Sequence, residues 1–250
     1  MSLRLETSGR VARLMIDRVA KRNAFDQAMW LQLPLLLAEA VADETVCLII
    51  LQSANPGVFC AGADIAELST NAENADWRAA NQAAINAAQY ALTRAAKPVI
   101  AMIDGDCIGG GCGLTLACDL RIASPRARFG ITPAKLGLVY PLHDTKLLVD
   151  LIGPAKAKEI LFTGALIDAN EAHRIGLINR IAESADDLIE TMLSTSSRSQ
   201  RETKAVIRRI LDGQAEDDAE SLARFANAFT RADFREGVAA FLEKRKANFG

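Results

Sequence analysis

Two stretches decide the fold: Phe59-Cys60-Ala61-Gly62-Ala63-Asp64-Ile65 and Gly105-Asp106-Cys107-Ile108-Gly109-Gly110-Gly111-Cys112-Gly113. Each follows a continuous apolar run, Val46 to Leu51 before the first and Pro98 to Ile103 before the second, of the length expected for a buried strand. Each then leads into a helix start. Tiny residues let a ligand atom approach the main chain, and a helix N-terminus offers unpaired N–H groups and a positive dipole end. Two such termini aimed at one point would bind a developing oxyanion. Close helix–strand packing alone is the competing reading of the same glycines. A P-loop needs Lys and Ser/Thr after its last Gly, and Gly110 is followed by Gly111-Cys112. A dinucleotide fingerprint starting at Gly111-Cys112-Gly113 needs a Gly where Leu116 stands. No G-x-S-x-G nucleophile elbow occurs.

Outward from these loops, the pattern predicts strands over Leu3–Thr7 and Arg10–Ile16, a polar link Asp17–Asn23 and a helix near Asp26–Ala42. An alanine-rich helix is expected near Asp76–Ala95, with Trp77, Ala80, Ala84, Ala87 and Ala91 at helical spacing. Leu120–Ala123 reads as a strand, and from about Pro154 the pattern is nearly all helical, with a short strand at Leu177–Ile181. Strands alternating with helices point to an α/β fold, and the helical tail to a packing or assembly appendage. A polar stretch over 183–200 marks a boundary, so the expected domains are 1–190 and 191–250.

The 250 residues carry Lys+Arg 29 against Asp+Glu 31, a formal charge of −2, which gives no electrostatic reason to expect nucleic acid or an anionic membrane as partner. Half the residues are hydrophobic and 24% are charged, the balance of a folded globular chain rather than a disordered one. The uncharged apolar stretch Cys107 to Cys118 is broken by four glycines and is too short for a membrane span. Charges at Arg4 and Glu6 interrupt any secretory h-region. Five cysteines without CxxC spacing and two distant histidines, His143 and His173, argue against a metal site and for reduced cysteines in the cytoplasm.

Beyond the two loops, ordered marks run along nearly the whole chain: Lys21-Arg22-Asn23-Ala24-Phe25, Cys118-Asp119, Phe129-Gly130 with Leu136-Gly137-Leu138, Thr163-Gly164 before Ala169 to Ala172, Gly176 to Asn179, and Ala240 to Lys246. With these the chain resembles the enoyl-CoA hydratase/isomerase (crotonase) family. The resemblance implies a crotonase-like spiral of ββα units with a helical C-terminal region that builds homotrimers, often paired into hexamers. It implies an acyl-CoA substrate, coenzyme A entering as part of that substrate and no separate cofactor. The family's two-amide oxyanion hole carries over to the N–H groups of Ala63 and Gly110, flanked by Ala61 and Gly109. CoA-contacting positions carry over to Lys21, Arg22 and Ala24, the pantetheine arm to Ala63, Asp64, Ile65 and Ala66, and a neighbouring segment or subunit contributes Phe225 and Lys244. The family often has Lys where this chain has Ala66, so one phosphate contact is missing.

The resemblance breaks at the acid/base. Hydratases of this family use two glutamates; counted without gaps, those positions fall on Gly113 and Pro133, and neither can transfer a proton. No Asp or Glu lies between Asp119 and Asp144 to replace the second, and Thr132-Pro133 reads as a helix N-cap with proline at the first position. Downstream stand Tyr140, His143 and Asp144, the region from which some relatives take their acid/base. His143 has the most suitable unperturbed pKa, and Asp144 becomes a base if desolvated. Against that, Asp144 could cap a helix, His143 could be solvated and Tyr140 could serve packing. The expectation is an acyl-CoA thioester enzyme that stabilises an enolate, isomerase-type rather than hydratase. The alternatives are a silent acyl-CoA-binding protein, or a thioester hydrolase or decarboxylase using His143 or Asp144.

Overall fold

The structure, a computed structural model, describes residues 2–249. The chain forms two compact units, the first of residues up to Ala95 with Val99–Ala185, the second of Ala96–Pro98 with the chain from Asp186 on. The expected boundary at 190/191 falls inside a helix, Asp186–Leu193.

The first unit is built on a six-stranded sheet and a four-stranded one. In order across it, the large sheet holds β1 (Leu3–Ser8), β2 (Val11–Ile16), β3 (Leu48–Ser53), β5 (Val99–Ile103), β7 (Leu120–Ala123) and β10 (Arg180–Ile181). Only the β1–β2 pair is antiparallel. Leu48, Ile49, Ile50 and Leu51 are all buried, which is why β3 reads as an unbroken apolar run rather than an alternating one. The small sheet holds β4 (Val58–Cys60), β6 (Asp106–Ile108), β8 (Arg128–Gly130) and β9 (Ile167–Asp168), parallel except at its β8–β9 edge.

Three times a strand of the large sheet passes directly to one of the small sheet and then to a helix: β3-β4 to α2 (Ile65–Thr70), β5-β6 to α4 (Gly110–Leu116), and β7-β8 to α5 (Leu142–Thr163). This is the ββα repetition that the resemblance implies. Around it lie α1 (Gln27–Ala42), capped by Asp26 on the Met29 N–H, α3 (Ala75–Arg94), capped by Asn74 on the Trp77 N–H, and α6 (Ala169–Arg174).

Several expectations are corrected. The inward face of α3 is Asn81, Ala84, Ala88, Gln89, Leu92 and Thr93; of the expected stripe only Ala84 is buried. With alanine on every side, composition leaves the face undecided, and packing against α1 and α4 chooses it. The strand expected over Leu177–Ile181 is the two-residue β10. Pro133 opens a short 3-10 turn, Pro133–Leu136, to which the Thr132 side chain gives no cap. The long helix starts earlier than Pro154, at Leu142, and bends where Gly153 takes φ 75 before Pro154.

The second unit contains α7 (Asp186–Leu193), α8 (Ser197–Leu211), α9 (Ala219–Ala228) and α10 (Ala232–Glu243). Ser196 caps α8 and also hydrogen-bonds to Asp233, while Asp218 and Ser221 form a capping box on α9. Glu202 of α8 pairs with Arg224 at 2.5 Å and Arg231 at 3.1 Å. Val206, Ile207, Phe225, Phe234 and Phe241 line an apolar cleft of about 1120 Å³ within this unit.

Candidate functional site

The motif Lys21-Arg22-Asn23-Ala24 is a tight turn in which Arg22 (φ 51) and Asn23 (φ 57) are both left-handed. Asparagine tolerates that region better than other side chains, and here it is buried and bonded throughout. Asn23 Nδ2 donates to Ser53 Oγ at 2.8 Å and to the Val58 carbonyl at 2.9 Å, and Asn23 Oδ1 accepts from the Arg18 N–H at 2.8 Å. The turn thereby grips β3 and β4, and its exit docks on the first glycine loop. The Phe25 N–H donates to the Gly62 carbonyl and the Asp64 N–H to the Phe25 carbonyl, both at 2.8 Å. Lys21 ends a 3-10 turn with its side chain exposed, and Ala24 is buried. Arg22 donates to Asp106 at 2.6 Å, and Arg128 shares the same carboxylate, so two guanidinium groups stand over one negative charge.

The two glycine loops touch. A Cβ placed on Gly62 (φ +100) would lie 3.0 Å from the Ile108 carbonyl oxygen and 3.2 Å from the Gly110 nitrogen, so only glycine fits this approach. A Cβ placed on Gly110 would lie 3.5 Å from the Ala63 nitrogen. Because a Cβ stands ~2.5 Å from its own nitrogen, the Ala63 and Gly110 nitrogens are no more than ~6 Å apart. Two N–H groups within that span can reach one oxygen at ordinary hydrogen-bond length. Neither N–H donates to an acceptor among the described residues, and Gly110 is the first residue of α4. Trp30 of α1 closes the far side, its ring edge 3.3 Å from the same Gly110 position. Next to the pair, the Gly109 N–H donates to the Gly130 carbonyl at 2.7 Å, and the Ala61 N–H to the Arg22 carbonyl at 3.0 Å.

Asp64 caps α2, accepting from the Ala66 N–H at 3.1 Å and the Glu67 N–H at 3.4 Å, and pairs with Arg18 at 2.9 Å. Burial raises its pKa, but the Arg18 guanidinium and the helix N–H groups outweigh that and hold the carboxyl below its ordinary value. Ile65, the first residue of α2, is exposed.

In the first turn of α5 stands Asp144, 2% exposed. The N-cap of α5 is Pro141, so Asp144 is not the cap that the sequence allowed. Its Oδ1 accepts from Gln89 Nε2 at 2.5 Å, whereas its Oδ2 is buried with no hydrogen-bond partner among the described residues. Burial pushes the carboxyl above its ordinary pKa; the Gln89 amide and the nearby Tyr140 hydroxyl pull the other way and lose. Tyr140 donates to the Gly109 carbonyl at 3.3 Å, which ties this cluster to the glycine loop. Burial and the Asp144 charge push the Tyr140 hydroxyl well above its usual value. His143 lays its ring against Tyr90 of α3, centroids 4.3 Å apart.

Gly113 explains why this cluster fits. A Cβ there would stand 2.4 Å from Asp144 Oδ1, 2.6 Å from Gln89 Nε2 and 3.1 Å from the Tyr140 hydroxyl. The space that a side chain at 113 would need is filled by a carboxylate and an amide arriving from α5 and α3. Gln89 was not among the expected site residues. In the sequence it is one polar residue of an alanine-rich helix, and it shares the buried face with two others, Asn81 and Thr93.

The remaining expected residues, Phe225 and Lys244, belong to the second unit. Phe225 lines the apolar cleft of the helical unit, and Lys244 is the exposed, left-handed C-cap (φ 53) of α10. Cys60, Cys107 and Cys112 are buried small residues, with the Cys60 thiol pushed up to about 12 by burial, which suits core filler and not a nucleophile.

Compared with known proteins, residues 6–250 match the family described as enoyl-CoA hydratase/isomerase. The crotonyl-CoA hydratase of Syntrophomonas wolfei is 34% identical over 98% of this chain and 96% of its own. The short-chain-enoyl-CoA hydratase of Clostridium acetobutylicum is 33% identical over 97% of this chain and 95% of its own. Among solved structures, an enoyl-CoA hydratase/isomerase family protein of Hyphomonas neptunium superposes with a TM-score of 0.96 at 40% identity, covering 100% of this chain and 98% of that one.

Proposed function

The chain belongs to the enoyl-CoA hydratase/isomerase family, and within it we propose a double-bond isomerase of acyl-CoA thioesters that works with one carboxylate, Asp144. The N–H groups of Ala63 and Gly110 hold the thioester oxygen. Asp144 Oδ2 takes a proton from the α-carbon of a 3-enoyl thioester, and the electron pair left behind spreads over the dienolate as charge on that oxygen. The same proton returns to C4, which moves the double bond to the 2-position and restores the carboxylate. Two amide donors on the developing charge each supply about 3–4 kcal/mol in comparable oxyanion sites, and a positioned proton carrier about 10²–10⁴-fold.

The observation that carries this reading is the content of the space at Gly113: one desolvated carboxylate with one oxygen left open. Water addition needs a second group to hold and activate water, and Pro133 supplies none. A carboxyl held above its ordinary pKa is also better matched to returning a proton near neutral pH than a solvated aspartate. The named relatives are hydratases, so crotonyl-CoA is the sharpest test substrate. Purified protein is expected to convert a 3-enoyl-CoA to the 2-enoyl isomer and to hydrate crotonyl-CoA far more slowly than ~10 per second. Hydration at that rate or above overturns the reading.

A further inference from the structure

Resting on the reading in which Asp144 carries the substrate proton, we infer that Gln89 is the positioning residue of the reaction, anchoring Asp144 Oδ1 so that Oδ2 alone takes and returns the proton. The amide reaches the carboxylate from a different helix, α3, across 55 positions of sequence, and Gln89 is fully buried. Its Nε2 donates to Oδ1 at 2.5 Å. That bond suits both states of the cycle: Oδ1 accepts as part of the carboxylate, and accepts still as the carbonyl oxygen once Oδ2 is protonated. The carboxyl therefore keeps its orientation while its charge changes, the condition for removing a proton at one carbon and delivering it to another.

A purely structural role explains the arrangement poorly. A buried carboxylate with an unpartnered oxygen destabilises a fold, and so does a buried amide oxygen without a partner among the described residues, which is the state of Gln89 Oε1. Two apolar side chains would fill the same volume at lower cost. The pair also occupies the space of the Cβ that Gly113 lacks, so any side chain at 113 would displace it.

The titratable groups facing Asp144 come from each neighbouring element. They are Tyr140 just before α5, which acts on the Asp144 carboxyl and is itself acted on by it, and His143 next to it in α5, with Tyr90 of α3 stacked on the imidazole. Gln89 is neutral, so Gln89→Leu removes a hydrogen bond without adding or deleting a charge.

The test is a carboxyl titration by NMR of protein carrying ¹³C-labelled aspartate, with the Asp144 signal identified by its loss in Asp144→Asn, alongside pH profiles of 3-enoyl-CoA isomerisation. Gln89→Leu is expected to move the Asp144 titration and the acid limb of kcat/KM upward together, and to lower kcat about tenfold or more with KM nearly unchanged. Gln89→Glu restores a donor only while the new carboxyl is protonated, so its activity falls as pH rises, opposite to Gln89→Leu. Should Gln89→Leu fail to fold, that reversed profile decides the matter. Gln89 variants that lose activity without moving either the titration or the pH profile overturn the inference while leaving Asp144 in place. Full activity in Asp144→Asn overturns the proposed function instead, and the Asp144 titration in Gln89→Leu still reports on the anchor alone.

Discussion

Asp144 carries opposite consequences for activity and stability. Its carboxyl is held above its unfolded value of about 3.9 by burial. Between that value and the higher folded one, the native state binds more protons than the unfolded state, so stability falls as pH rises through this window. At pH 7 the ionised group is a cost to the fold. Asp144→Asn is therefore expected to unfold at a higher temperature than the parent at pH 7, with the gap closing below about pH 4, while catalysis drops by about 10²–10⁴-fold. Thermal unfolding at the two pH values measures this, and a variant less stable at pH 7 would contradict the burial argument. Sequence reasoning placed Asp144 among the candidates because burial would make it a base. It could not see the partner, because a contact across 55 positions leaves no local pattern, and one glutamine in an alanine-rich helix shows its facing only after packing.

At the scale of elements, the legible parts were those with a strong local signature: β3 and β5 as unbroken apolar runs, the two glycine loops, and the helices α1 and α3. The four strands of the small sheet were illegible because each has only two or three residues, below the length at which periodicity means anything. Their role emerges only in pairs, when β4 and β6 lie side by side and bring Gly62 against Gly110. The start of α2 carries a separate prediction. Asp64 combines a cap with the Arg18 pair, and its lowered pKa means that its contribution is present above its unfolded pKa and is lost as pH falls through the folded one. Asp64→Ala is expected to cost about 1–2 kcal/mol at neutral pH and much less in acid. Denaturant titrations at pH 7 and below pH 3 compare the two, and an equal loss at both would remove the ionic part of the account.

At the scale of the whole molecule, two spirally repeated ββα units bring two main-chain N–H groups together, and the next repeat delivers α5 with its carboxylate. The framework is the family's; on the proposed reading the proton carrier comes from α5. The direct measurement of that claim is the fate of the hydrogen on C2. A 3-enoyl-CoA deuterated at C2, converted in ordinary water and read by NMR of the product, is expected to show deuterium at C4, with label transfer by Asp144→Asn slowed about 10²–10⁴-fold. A 3-hydroxyacyl product, or label transfer at an undiminished rate without the Asp144 carboxylate, would contradict the account.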